Sequence, residues 1–124
     1  MNISRFAAAA ALSLALGTAA PAQPAAQTIL VWSYGFSPQP IHLRAGQPVT
    51  LTFVNRSGSS HDFAAHSFFA NSRILSGDAR EGEIDLRGGE TKTVRLIPRA
   101  GTYGVHCSHF FHKQLGMSDT IIVD

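Results

Sequence analysis

The feature that most constrains the fold is the alternation of apolar and polar residues over 49–53 in the segment VTLTFVN, residues 49–55. In an extended chain, Val49, Leu51 and Phe53 point to one side and two threonines point to the other. A helix would spread these apolar side chains around its circumference, so the pattern predicts a β-strand with one buried face. Turn-forming sequences, AGQP before the segment and RSGSS after it, bound the strand.

Several other segments are short and rich in apolar and β-branched residues, and turns containing glycine or proline separate them. We predict further strands at residues 29–32, 41–44, 84–86, 91–97, 102–107 and 120–123. One short helix is predicted at residues 66–75, where Phe68, Phe69 and Ile74 are available to pack. Many short strands at regular spacing favour an all-β fold, a Greek-key β-sandwich with this one helical segment.

The first 22 residues have the order of a secretory signal peptide. A short positive end precedes the apolar run of residues 6–16, and small residues then lead to Ala22. The apolar run is shorter than the roughly 20 residues that a membrane-spanning helix needs. We therefore expect a signal peptide over residues 1–22, a short lead-in over 23–27, one domain over 28–124, and export to the periplasm.

The charges of the 124-residue chain are scattered and close to balance. Ten lysine and arginine residues face eight aspartate and glutamate residues, which gives a formal net charge of +2. No basic run resembles a nucleic-acid-binding stripe or a membrane-binding patch. We expect a monomer that binds no nucleic acid and no membrane once the signal peptide is removed.

Twelve residues near the C-terminus, HCSHFFHKQLGM, hold the only cysteine, three of the six histidines and one of the two methionines. Exported proteins usually form disulfides, but Cys107 has no partner in its own chain. It is therefore an intermolecular or reactive thiol, a metal ligand, or a small buried apolar side chain. If Val105 is buried, strand alternation points Cys107 inward and His106 away from the core.

A thiolate and two imidazoles, with a weak axial thioether, form the donor set of a type 1 copper site. Cys107, His112 and Met117 lie on one predicted loop, with the spacing C-x4-H-x4-M. His112 is preferred to His109, which would need a very tight turn to reach a metal bound by Cys107. The second imidazole must come from elsewhere in the chain. His61, just past the turn that ends the strand at 49–55, is preferred to His66, which lies in the predicted helix.

The sequence resembles the cupredoxins, the type 1 copper proteins that include plastocyanin, azurin, pseudoazurin and auracyanin. The segments FSPQPIHLRAGQPVTLTFVN, SSHDF, GETKTVRL and AGTYGVHC…H…GM…TIIV occur in the family's order across residues 36–124. The resemblance implies one copper per chain, held by four ligands: His61, Cys107, His112 and Met117. Two features depart from the family: histidines flank the cysteine at 106 and 109, and the ligand loop lacks its usual proline.

Other polar residues are candidates to support the ligands. Asn55 and Asp62 lie close to His61 in the sequence, and a polar group beside that histidine could tie its loop to the cysteine loop through Ser108. Three further histidines are either surface imidazoles or contacts of a second, weaker metal site: His66, His106 and His109.

Two functions fit these residues. The first is a periplasmic one-electron carrier that cycles between Cu(I) and Cu(II) and meets a redox protein such as a cytochrome, an oxidase or a reductase. It would not be an enzyme, since four protein ligands leave no open coordination position. The alternative is a periplasmic copper-binding or copper-tolerance protein that buffers or sequesters copper. A metal-free binding module would leave the ligand spacing unexplained.

Overall fold

The structure, a computed structural model, describes residues 10–11, 25–109, 112 and 115–124. Within these residues the chain forms ten strands, one α-helix and one short 3₁₀ turn. The strands are β1 (Ala25–Trp32), β2 (Gly35–Ser37), β3 (Ile41–Leu43), β4 (Val49–Asn55), β5 (His61–Ala64), β6 (Arg73–Ser76), β7 (Glu83–Leu86), β8 (Thr91–Ile97), β9 (Gly101–His106) and β10 (Ser118–Val123). The helix α1 spans His66–Asn71, and the 3₁₀ turn spans Arg80–Gly82.

The strands form two five-stranded sheets that pack face to face. The first sheet has the order β2-β1-β4-β8-β6, and the second has the order β3-β10-β9-β5-β7. The pairs β1–β4 and β3–β10 are parallel, and the other pairs are antiparallel. Strands that are neighbours in a sheet are mostly not consecutive in the chain, so connections cross between the sheets. The predicted fold class, an all-β Greek-key sandwich with one short helix, is confirmed.

The core lies between the two sheets and is centred on aromatic rings. As the alternation predicts, the side chains of Val49, Leu51 and Phe53 are buried on the inner face of β4. The ring of Phe53 packs on that of Phe63 in the opposite sheet, with centroids 4.8 Å apart. Phe63 also meets Phe36 edge to face at 5.5 Å. Because Phe63 lies two residues after His61, this contact anchors the start of β5 to the core.

Two predicted boundaries are wrong. The helix predicted at 66–75 ends at Asn71, because Ser72 takes an extended conformation and residues 73–76 pair with β8 as an edge strand. The lead-in predicted at 23–27 overlaps β1, whose first residues, Ala25–Gln27, pair with Val49–Leu51 through the parallel ladder. The sequence patterns predict no strand at β5, which pairs with β7.

The predicted signal peptide, residues 1–22, lies outside the described residues except for positions 10 and 11. Across the part of the chain that the structure describes, no helix is long and apolar enough to cross a bilayer.

The turn between β7 and β8 presses against the loop that leads into β5. A Cβ atom added at Gly88 would lie 2.6 Å from the carbonyl oxygen of Gly58, a backbone atom that cannot rotate away. Next to it, the N–H of Gly89 donates to the carbonyl oxygen of Ser57 at 3.1 Å. The course of the loop before His61 therefore depends on the absence of a side chain at Gly88.

Replacing Gly88 with alanine should lower the free energy of unfolding by about 1–3 kcal/mol, the usual range for forcing extra atoms into a packed site. Gly104→Ala is the matched control, because a Cβ atom there meets nothing within 4 Å. Both substitutions restrict the unfolded chain in the same way, so their difference isolates the contact. Urea denaturation measures both. Equal free energies of unfolding for the two variants would show that the close approach at Gly88 does not affect stability.

Candidate metal centre

Three side chains that are distant in sequence place one donor atom each around a common point. His61 begins β5, Cys107 directly follows β9, and His112 lies in the loop between β9 and β10. The two imidazole Nδ1 atoms are 3.1 Å apart. The sulfur of Cys107 lies 3.3 Å from Nδ1 of His112 and 3.8 Å from Nδ1 of His61. Among the described residues these three atoms form a group that can hold a metal ion.

The size of this triangle fits a metal ion. The point that is equally far from the three donor atoms lies about 2.0 Å from each of them. This distance is close to the roughly 2.0–2.3 Å of metal bonds to imidazole and thiolate in proteins. Three donor atoms at this spacing could hold one metal ion between them. A thiolate with two imidazoles in this geometry is the donor set that suits copper in both of its common oxidation states.

Met117 is held next to the loop ligands by its backbone. Its N–H donates to the carbonyl oxygen of His112, and its own carbonyl oxygen accepts the N–H of Cys107, both at 3.1 Å. The Met117 side chain is fully buried. The structure thus brings all four predicted ligand residues into one region.

Burial shifts the pKa values of two of the candidate ligands, His61 and Cys107. His61 and Cys107 are buried, whereas His112 is partly exposed. Burial, and then the neighbouring His112 and His109, lower the pKa of His61, which favours the neutral ring that can bind a metal. Burial raises the pKa of the Cys107 thiol, and backbone N–H groups that favour the thiolate offset part of this effect. Copper binding should therefore release the thiol proton.

The carboxylate of Asp62 joins the two segments that carry the buried ligands. Its Oδ1 accepts the backbone N–H of Ser108 at 2.6 Å, and its Oδ2 accepts the hydroxyl of the same residue. Asp62 is 2% exposed. The backbone ladder between β5 and β9 consists of the single pair Ala64 and His106. The Asp62 side chain therefore adds a second connection between the β5 and β9 segments, which the backbone joins at only one residue pair. The contact predicted through Ser108 is present.

Asn55 fixes the loop that precedes His61. Its Oδ1 accepts the backbone N–H and the hydroxyl of Ser57, at 3.0 and 2.8 Å. Its amide nitrogen lies within hydrogen-bonding distance of three carbonyl oxygens, those of Ser59, Leu86 and Arg87. Because Asn55 is 1% exposed, these contacts are shielded from water and hold the loop against the β7–β8 turn.

Aromatic rings and one hydroxyl complete the surroundings of the ligands. The ring of His109 stacks on that of His112, with centroids 5.4 Å apart and planes 12° from parallel. The rings of Tyr34 and His112 pack in an edge-type contact, with centroids 5.0 Å apart. Ser33 Oγ lies 2.8 Å from Nε2 of His61. Sequence reasoning missed Ser33 and Tyr34, since no spacing links the β1–β2 turn to the ligand loop.

Two of the candidate histidines lie elsewhere. His106 pairs with Ala64 and Ser118 within the second sheet, and His66 begins α1 and packs against Gly82. Neither belongs to the group of converging donor atoms that the described residues form. His109 touches this group through its ring without adding a donor atom to it. Residues 110 and 111 lie outside the described residues.

A second group near Asp62 consists of carboxylates. Asp62 stands opposite Asp85 in the β5–β7 ladder, and Glu83 lies close to both. Burial, then Asp85 and Asp62, raise the pKa of Glu83. Like charges that face each other across two strands are destabilising. The hydrogen bonds from Ser108 offset this repulsion at Asp62.

Replacing Asp62 with alanine should lower the free energy of unfolding by about 2–4 kcal/mol, because it removes two hydrogen bonds to a charged group and leaves the N–H of Ser108 without its partner. Ser108→Ala removes only the hydroxyl bond and should cost less. Asp85→Ala is the control, since it deletes an exposed carboxylate opposite Asp62. Chemical denaturation of the metal-free protein gives the ranking. If Asp85→Ala proved as damaging as Asp62→Ala, the bond to Ser108 would not be the stabilising contact.

Comparison with known proteins agrees with this geometry. The family model described as cupredoxin-like domain matches residues 5–123. Copper resistance protein A from Pseudomonas syringae pv. tomato is 26% identical over 89 residues. That match covers 69% of this chain, which spans only 15% of the length of that curated relative.

Solved structures share the fold at low sequence identity. Dithionite-reduced auracyanin from Roseiflexus castenholzii superposes with a TM-score of 0.60 at 19% identity, covering 80% of this chain and 96% of that one. A multicopper oxidase from Campylobacter jejuni superposes with a TM-score of 0.63 at 15% identity, covering 82% of this chain and 30% of that one. The family match spans nearly the whole sequence, and the donor set is one that suits copper. The chain therefore belongs to the cupredoxin family, and its cofactor is copper.

Proposed function

We propose that this protein is a one-electron carrier of the periplasm, in which His61, Cys107, His112 and Met117 would hold copper. The observation that supports it is the convergence of the three donor atoms at 3.1–3.8 Å. Bound copper supplies a centre that changes between Cu(I) and Cu(II). The chain contributes the ligands, their fixed positions and the exclusion of water.

Fixed ligand positions favour fast electron transfer, because donors that stay in place when the charge changes need little rearrangement. Asp62 holds the segments of His61 and Cys107 together, and Asn55 holds the loop before His61. Both supporting side chains are buried and hydrogen-bonded. Such a supporting shell maintains a site at the geometry that its function needs.

The two sides of the site differ in exposure, which suggests a route for the electron. His61, Cys107 and Met117 are buried, whereas the partly exposed His112 lies at the surface beside Tyr34 and Leu115. A redox protein, such as a cytochrome, an oxidase or a reductase, would approach on this side and exchange electrons through His112. All four ligands come from the chain, so no open position is left for a substrate. The signal-like residues 1–22 support a periplasmic location.

A titration of the mature protein with Cu(II), followed by visible and EPR spectroscopy, tests the ligand set. We expect an intense thiolate-to-copper band that saturates at one equivalent and is absent in Cys107→Ser. His66→Ala is the control and should keep the band, because its side chain lies outside the donor group. Weak absorption that does not depend on the cysteine would mean that histidines alone bind the metal, and would refute the proposal.

Stopped-flow mixing of the Cu(II) protein with a reduced c-type cytochrome tests the carrier role. Transfer of one electron from each cytochrome to the copper should bleach the thiolate-to-copper band. A protein that has the band but exchanges no electrons with cytochromes or with small redox reagents would be a copper-binding protein and not a carrier.

Copper tolerance is the second candidate, and the position of His109 favours it. Its imidazole lies directly beside the ring of His112 but outside the three-atom group, so it is available for another metal contact. A relative is named copper resistance protein A. Metal analysis distinguishes the two functions. A second copper per chain that is lost in His109→Ala supports copper handling, whereas a single copper in both proteins argues for the carrier.

A further inference from the structure

We propose that Ser33 is a positioning residue for copper binding. Its hydroxyl accepts a hydrogen bond from Nε2–H of His61 and so holds this ring in the tautomer whose Nδ1 can bind the metal. The inference rests on the proposed function, because it requires His61 to be a ligand. It adds a residue from the β1–β2 turn, which is far in sequence from every ligand.

The two nitrogens of the His61 ring face different partners. Nδ1 points into the donor group, 3.1 Å from Nδ1 of His112 and 3.8 Å from the sulfur of Cys107. Nε2 lies 2.8 Å from Ser33 Oγ. A neutral imidazole carries one N–H, so a ring that binds a metal through Nδ1 carries its proton on Nε2. That proton points at the serine hydroxyl.

Because His61 is buried, losing this hydrogen bond would be energetically costly. His61 is fully buried, so an Nε2–H that lost the hydroxyl would lack a partner unless water entered the site. A buried donor without a partner costs about 1–3 kcal/mol. The tautomer that binds copper would then be disfavoured relative to the one that places the proton on Nδ1. Loss of Ser33 should thus weaken copper binding without any change in the four ligands.

A hydroxyl suits this position because it can donate as well as accept. In the metal-free protein the Nδ1 atoms of His61 and His112 are 3.1 Å apart, so either of them can donate to the other. When His61 is the donor, its Nε2 has a lone pair and Ser33 donates to it. When His112 is the donor, Ser33 accepts. Serine can therefore pair with the His61 ring in both tautomers, but loss of its hydroxyl leaves a buried N–H donor without a partner only in the tautomer that carries the proton on Nε2.

The location of Ser33 separates positioning from folding. The residue is exposed and lies in a turn, so removing its hydroxyl opens no cavity in the core. The turn itself is fixed by its neighbours, since Val31 pairs with Asn55 and the ring of Tyr34 packs on that of His112. Ser33→Ala should therefore fold normally, and a change in copper binding would not reflect loss of structure.

The experiment compares the Cu(II) affinity of the parent protein, Ser33→Ala and Ser33→Thr by competition with a chelator. Ser33→Ala should lose about 10–100-fold in affinity, the usual effect of removing the hydrogen-bonding partner of a metal-binding histidine. Ser33→Thr keeps the hydroxyl and should stay near the parent. Ser67→Ala, at an exposed serine of α1, is the control and should not change the affinity. Parent-like affinity of Ser33→Ala, or an equal loss in Ser33→Thr, would overturn the inference.

A second measurement reads the tautomer itself. In the diamagnetic Cu(I) form, ¹⁵N-edited NMR should show a slowly exchanging Nε2–H of His61 in the parent and a rapidly exchanging one in Ser33→Ala. Slow exchange that persists in the variant would contradict the role of Ser33. If the parent lacked the thiolate band, the ligand assignment and this inference would both fail. If the band is present and only the comparison at Ser33 fails, the proposed function stands.

Discussion

The site depends on the pair of hydrogen bonds between the Asp62 carboxylate and Ser108. Each partner directly follows a ligand, since Asp62 comes after His61 and Ser108 comes after Cys107. The backbone ladder between their strands contains one residue pair, so it cannot by itself fix how far apart the two ligands lie. A carboxylate buried to this degree must be hydrogen-bonded. Its need for the N–H and O–H of Ser108 therefore keeps the ligand-bearing segments together without a metal.

A second set of contacts extends this constraint to the first sheet. Asn55 ends β4 and holds the loop before His61, and the neighbouring β1 ends at the turn that carries Ser33 and Tyr34. The ligands come from the second sheet and its loops, but the groups that orient the two imidazoles come from the first. The sandwich thus encloses the metal centre from both layers. This explains why a site of four residues needs most of the domain to build it.

Sequence patterns predicted the parts of this arrangement that are local. The alternation in β4 and the spacing of Cys107, His112 and Met117 each lie within one short segment, so one stretch of sequence contains the whole signal. The missed parts depend on tertiary pairing. Residues 25–27 become strand because β4 offers a backbone ladder, and Ile74 leaves the expected helix because β8 offers an edge. Ser33 reaches His61 only through the order of strands in the sheets, which no local pattern encodes.

The constraint that sets the geometry also acts on the reduction potential. A thiolate with Cu(I) has no net charge, whereas the same thiolate with Cu(II) has a net charge of +1. Burial disfavours net charge, so the buried side of the site, with Cys107 and His61, favours the reduced state. The negative charge of Asp62, one residue from His61, acts in the opposite direction because it stabilises the oxidised state. Ligand geometry and potential are therefore linked through one carboxylate, because Asp62 both holds the two ligand-bearing segments together and carries its charge next to His61.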